Sequence, residues 1–182
     1  MRLLVDSMCG GVVTYLRMCG YDTVFAGDRG LDADDELLEA ARTAHRTIVT
    51  RDVALAERTP AVIVLSATST DRQLATLAAA GLDLSLAPDP RYCGACNGRL
   101  ESLDEGVQTP EYAPDPDETD VWRCLECGQD FWKGSHWDRV GETLAGIDPD
   151  ADWPRRDADG DQPERDADRP RRDTGGETDD CR

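Results

Sequence analysis

The sequence predicts an α/β fold, a mostly parallel sheet with helices on both faces, and three observations predict it. Short apolar runs alternate with helical periodicity up to about residue 88. Helix-ending glycines and acidic first turns punctuate the runs where a βαβα order needs them. The remainder changes character: residues 89–145 hold two C-x2-C pairs and three of the four tryptophans, and from Asp148 onward the chain collapses into Asp, Arg, Pro and Gly.

In order, Leu3-Leu4-Val5 reads as a short buried strand. Gly11 to Cys19 reads as a helix with Gly20 at its C′ position. Thr23-Val24-Phe25 is a second strand. Asp34 to Ala44 is an amphipathic helix, with Leu37, Leu38 and Ala41 facing inward and acids in the first turn. Thr47 to Thr50 is a third strand, Val53 to Glu57 a helical turn, and Ala61 to Leu65 a fourth strand. Thr70 to Ala80 is a further helix, capped by Thr68 or Ser69 and ended by Gly81. Strand–helix alternation of this kind buries a parallel sheet on both faces.

Cys93-Gly-Ala-Cys96 and Cys124-Leu-Glu-Cys127 stand 27 residues apart. Each pair offers two thiolates from one tight turn, and two such turns complete a tetrahedron around Zn²⁺. The competing reading, two disulfides, needs an oxidising compartment. The first residues carry no long apolar stretch of the kind that directs secretion, and no run approaches 18 apolar residues. The expectation is therefore a cytoplasmic, reduced protein with a structural zinc ribbon and no membrane partner. Cys9 and Cys19 read as small core residues.

The chain has 38 acids against 20 bases, a formal net charge of −18, and a single lysine, Lys133. Such a balance suits a halophilic cytoplasm, where the Debye length falls to about 3 Å at 1 M salt; an acidic protein in an ordinary cell is the plainer alternative. Residues 146–182 read as a disordered acidic tail, because 13 acids and 7 arginines from Asp148 onward leave little apolar surface to bury. An interaction tail is its functional alternative.

In open α/β sheets, ligands bind at the carboxyl ends of the strands. Asp6 follows the first strand, Asp52 follows the third, and Asp34, with Asp35 and Glu36 beside it, can reach the same edge from a helix N-terminus. If the first and third strands are neighbours, these carboxylates converge. Their mutual repulsion is relieved by a divalent cation, and oxygen donors favour Mg²⁺ or Mn²⁺. An Asp after a strand is also a common turn residue or N-cap. No dinucleotide or P-loop motif is present. Gly10-Gly11 reads as close packing at a strand-to-helix turn, with backbone phosphate binding as the alternative.

Leu4-Val-Asp-Ser-Met-Cys-Gly-Gly11, Leu16-Arg-Met-Cys-Gly-Tyr-Asp22, Asp34-Asp-Glu-Leu-Leu-Glu39 and Thr50-Arg-Asp52 together resemble the mut-seven C-terminal domain, a PIN-like RNase domain. Arg91 to Leu100 and Trp122 to Trp137 resemble the zinc ribbon that follows it in that family. The resemblance spans roughly residues 2 to 140 and implies a PIN-like nuclease domain over 1–88 and a zinc ribbon with a C-terminal helix over 89–145. It implies a metal-dependent ribonuclease, with Asp6, Asp34 and Asp52 as catalytic ligands of one or two Mg²⁺ or Mn²⁺ ions and RNA as partner. Asp34 is preferred to Asp35 for its 18-residue step to Asp52. Val53-Ala54-Leu55 stands where many PIN domains carry another acid, leaving Asp71 as a weak fourth ligand. Arg17, Arg29 and Arg51 are candidate phosphate clamps. Lys133 and His136 lie among Trp122, Phe131, Trp132 and Trp137, a mixture suited to stacked bases or to packing around the cysteines. The alternative function is a non-catalytic zinc-ribbon adaptor that binds nucleic acid.

Overall fold

A computed structural model describes residues 1–150. Four strands form a parallel sheet in the order β2-β1-β3-β4: Arg2–Val5 (β1), Asp22–Phe25 (β2), Thr47–Thr50 (β3) and Val62–Val64 (β4). Alternate residues of each strand serve opposite faces. Leu3, Val5 and Val49 face one core, shared with Val12, Val13 and Leu16 of the first helical stretch and with Leu74 and Leu77. Leu4 and Ile48 face the other, shared with Leu37, Ala41 and Leu55. This two-sided burial is why Leu3-Leu4-Val5 and Ile48-Val49 run without a polar interruption.

The first helix departs from expectation. A 3₁₀ segment, Ser7–Val12, leads into a short α1, Val13–Met18. The Asp6 carboxylate accepts from the Met8 amide (3.3 Å), so the winding starts directly at the acid. Gly10 and Gly11 are there because side chains would not fit: a Cβ at Gly10 would lie 3.1 Å from the Phe25 ring, and one at Gly11 2.6 Å from the Thr70 hydroxyl. Asp34–Thr43 (α2) begins without a side-chain cap and carries three acids in its first turn, where the helix dipole favours them. His45 follows in the left-handed conformation (φ 51°) usually given to glycine, and the Arg46 amide closes on the Ala41 carbonyl (2.9 Å). Val53–Ala56 (α3) is a single turn capped by Asp52. Thr70–Ala79 (α4) follows Ser69, whose hydroxyl makes no capping bond; the Gln73 amide reaches the Ser69 carbonyl instead.

A second, antiparallel sheet, order β5-β6-β7, comprises Leu100–Ser102, Val121–Cys124 and Asp130–Trp132. The last helix, Ser135–Ala145 (α5), sends Val140 and Leu144 into the same core as Leu3 and Val5. Residues 1–150 accordingly lie within one compact unit. The expected acidic tail, with Cys181, falls almost wholly outside the described residues.

Candidate functional site

The two cysteine pairs sit on matching turns. In the first, the Cys93 amide bonds the Gly98 carbonyl (2.8 Å), and the Asn97 amide bonds the Cys93 carbonyl (2.9 Å). In the second, the Cys124 amide bonds the Gln129 carbonyl (2.9 Å), and the Gly128 amide bonds the Cys124 carbonyl (3.0 Å). Asn97 (φ 67°) and Gly128 (φ 74°) hold the left-handed position after each second cysteine. Gly98 admits no side chain, since a Cβ there would lie 2.6 Å from the Cys124 sulfur.

All four sulfurs lie within 4.8 Å of one another, with Cys93–Cys127 at 3.7 Å and Cys96–Cys124 at 3.5 Å. Tetrahedral Zn–S bonds of about 2.3 Å put sulfurs about 3.8 Å apart, so the cluster can bind zinc. Backbone amides of Cys96, Gly98 and Cys127 point at the sulfurs (3.4–3.5 Å), the donors a thiolate needs. Burial pushes the Cys93 thiol well above its ordinary value. At Cys124 burial acts in the same upward direction, but amide donors from Cys127 and Glu126 and the neighbouring Cys96 and Cys127 sulfurs together outweigh it and bring the thiol down to about 7.

The first turn is latched to the α/β sheet. Asn97 Oδ1 accepts the Thr23 amide (2.8 Å), which β2 as an edge strand leaves unpaired, and Asn97 Nδ2 donates to Asp22 (2.7 Å). Asp22 also receives Arg2 (3.0 Å) and Arg46 (2.8 Å). Arg17, expected as a phosphate clamp, does something else. It is 3% exposed and donates to the carbonyls of Thr23 (3.0 Å), Gly94 (2.9 Å) and Ala95 (3.0 Å), with Asp28 at 3.7 Å. Burial lowers its pKa, opposed by Asp28 and then by Cys93 and Cys96. A buried guanidinium bonded to Gly94 and Ala95, with Cys93 and Cys96 nearby, joins the first cysteine turn to β2.

At the carboxyl edge of the sheet, β1 and β3 are neighbours, as the convergence of the carboxylates required, with Val5 paired to Val49. The Asp6 amide bonds the Val49 carbonyl (2.9 Å). Thr50, fully buried, ties the two acids: its hydroxyl donates to Asp6 Oδ2 (2.5 Å) and accepts the Asp52 amide (3.0 Å). Asp52 Oδ1 caps α3 through the Leu55 amide (3.1 Å), leaving its second oxygen for other work. Among the described residues, no arginine or lysine pairs with Asp6 or Asp52. Arg51 lies close enough to act on the Cys9 thiol, which burial, and next the Asp6 charge, pushes up to about 11.

Asp34 is placed differently. It faces Arg58 at 3.6 Å, and Asp35 pairs with the same guanidinium. Among the described residues, the four cysteines are the group of His, Cys, Asp or Glu side chains that comes together closely enough to hold an ion. Asp71 is exposed in the first turn of α4. Lys133 donates to the Pro88 carbonyl (2.5 Å) and lies 5.3 Å above the ring of Trp122, which is 6% exposed, and 5.9 Å above Trp137. Beside it, Tyr92, Phe131, Trp132, His136 and Trp137 line an apolar groove of about 90 Å³. Reading the sequence missed Thr50, Arg58 and Asn97. Thr50-x-Asp52 at a strand end carried a signal, a hydroxyl two residues before an acid; Arg58 and Asn97 carried none, because their partners are remote in sequence.

Among the described residues, no helix is long and apolar enough to cross a membrane. No curated protein and no solved structure matches the chain. A family model described as the Mut7-C RNAse domain matches residues 1–144, which take in the acidic edge, both cysteine turns and nearly all of α5, and the chain therefore belongs to the Mut7-C RNAse domain family.

Proposed function

We propose that the protein is a metal-dependent ribonuclease acting at the carboxyl edge of the parallel sheet. The observation that carries this reading is the Asp6–Thr50–Asp52 linkage across neighbouring strands, in a chain of an RNase-domain family. Asp6 and Asp52, oxygen donors with no paired base among the described residues, fit Mg²⁺ or Mn²⁺. Asp6, Asp52 and Asp34 would hold the ion, which when bound supplies a polarised phosphate and a water of lowered pKa. Thr50 fixes the orientation of Asp6, and the backbone of α3 fixes Asp52. Asp34 reaches the edge by leaving Arg58. Both side chains are about half exposed, 51% and 44%, and water screens an ion pair at such a surface, so the exchange costs little. Asp35 is the alternative donor. Arg51, next to Asp52, is suited to the phosphate. Lys133 and His136, at the aromatic groove, are suited to RNA beyond the cut. A cytoplasmic location fits four thiols held for zinc rather than for disulfides.

Asp52→Asn tests the reading. Asn is as good an N-cap as Asp, so α3 and the fold survive. Purified protein with labelled RNA at high salt should yield product with Mn²⁺ and none with EDTA, and the variant should bind RNA but cut it at least about 100-fold more slowly. An unchanged rate in the variant rejects the site. The second reading is a nucleic-acid-binding adaptor without catalysis. It is favoured by the aromatic groove and by the pairing of Asp34 to Arg58, and it predicts RNA binding with no metal-dependent product from the wild type.

A further inference from the structure

A cleft of about 330 Å³ opens where the carboxyl end of β2 meets the first cysteine turn. It lies one strand over from the acids: Phe25 pairs with Val5, the residue before Asp6, and the Ala26 amide bonds the Val5 carbonyl (2.8 Å). Val24 and Phe25 form its apolar floor, and Ala95 to Asn97 form one wall. The Phe25 ring is held by two glycines that a side chain would displace. A Cβ at Gly10 would fall 3.1 Å from the ring, and one at Gly27 2.7 Å.

The charges at its rim set the occupant. Arg29 is exposed at the mouth and, among the described residues, makes no side-chain ion pair. In a chain with nearly two acids per base, an unpaired arginine beside a cavity is conspicuous. Asp28 is drawn toward the buried Arg17 at 3.7 Å, so a guanidinium offsets one of the acids that line the cleft. Glu126 also lines the cleft and offers a carboxylate acceptor. An apolar floor, one free guanidinium and carboxylate acceptors together match a nucleotide: a base or sugar on the floor, a phosphate on Arg29, and hydroxyl or amine donors to the acids.

We propose that this cleft seats a nucleotide of single-stranded RNA adjacent to the scissile phosphate, a subsite that rests on the ribonuclease reading. The cysteine ribbon then serves catalysis as one wall of the substrate channel. The test uses the full chain carrying Asp52→Asn, a fluorescent oligouridylate, and anisotropy over a range of salt. Arg29→Ala should weaken binding about tenfold and lower the magnitude of the log–log salt slope by about 0.7, the signature of one lost phosphate contact to a single strand. Glu126→Ala should weaken binding without lowering the salt slope, as loss of an acceptor does, while Arg139→Ala, an exposed arginine on α5 outside the cleft lining, should change neither. Equal losses at Arg29 and Arg139, or no binding of the oligomer at all, would overturn the subsite. Binding that follows this pattern in a wild type that cuts no RNA with Mn²⁺ would reject the enzyme reading and leave the subsite standing.

Discussion

The cysteine cluster and the proposed acidic site both draw on anionic side chains, yet the chain builds them in opposite ways. Each cysteine pair is completed within six residues by its own turn, with the same two backbone bonds and the same left-handed residue in both copies. The acids come from three segments, and only the register of β1 against β3 and one threonine hydroxyl bring two of them together. Local construction yields a finished coordination geometry. Remote construction yields a pair plus a third acid held elsewhere by Arg58. The difference teaches that spacing within one turn suffices for the sulfur cluster, while a site built on the proposed acids would have to draw Asp34 away from Arg58.

The sharpest way to break the contrast is to remove metal from the sulfur site. Structural zinc contributes about 10–16 kcal/mol of binding free energy in small zinc modules, so chelation or Cys124→Ser should unfold the ribbon. Because Asn97 covers the Thr23 amide and Arg17 grips Gly94 and Ala95, the damage should spread to β2. Hydrogen exchange at Thr23 should rise with zinc release measured by a chromogenic chelator. A protected Thr23 after complete zinc loss would show that the two regions are energetically separate.

Asp22→Ala attacks the same joint from the sheet side. Asp22 gathers Arg2, Arg46 and Asn97, and Arg46 is only 9% exposed, so the variant strands a largely buried guanidinium at a cost of about 2–4 kcal/mol. Burial raises the Asp22 pKa, but hydrogen bonds from Arg46, Asn97 and Arg2 outweigh it and hold the value below the ordinary range. A depressed folded-state pKa means that this contribution is complete above the unfolded value near 4 and is lost as pH falls through the lower folded value. The wild type should lose more stability below pH 4 than the variant does in denaturant titrations.

The contrast also explains what the sequence could reveal. Spacing alone announces a cysteine turn, because every atom that shapes it is nearby in the chain. The strands were legible because burial on both faces leaves runs such as Leu3-Leu4-Val5 without polar interruption. Asp6 and Asp52 were legible as strand-end acids. Their linkage through Thr50 was not, since it depends on which strands become neighbours. The joint that Arg17 makes was not legible for a related reason: an arginine on a helix gives no sign that a cysteine turn 77 residues later will fold over it. The first helix was drawn too regular, because Gly10 and Gly11 answer to Phe25 and Thr70 rather than to helical propensity.

Thr50→Val probes the linkage itself. Removing a buried hydroxyl that serves a carboxylate and an amide should cost about 1–3 kcal/mol. If the acids form a metal site, cleavage should fall about 10–100-fold through weaker Mn²⁺ binding, the usual effect of losing a residue that orients a ligand. Thr50→Ser should restore most of both, and a Ser variant as impaired as Val would indicate packing of the methyl group rather than orientation of Asp6.

The smallest structural effect makes the most direct test of the movable acid. Arg58 is 44% exposed, and its pairs with Asp34 and Asp35 are solvent-screened, so Arg58→Ala should leave stability nearly unchanged. Its effect on metal should be larger and of opposite sign to that of losing a ligand. With Arg58 present, Asp34 must give up a cation to join Asp6 and Asp52; without it, nothing competes. Isothermal titration with Mn²⁺ should therefore show tighter binding in Arg58→Ala and weaker binding in Asp34→Asn, while the double variant should resemble Asp34→Asn alone. Equal affinities in all three would assign Asp34 to the surface ion pair and leave Asp6 and Asp52 to find their third ligand elsewhere.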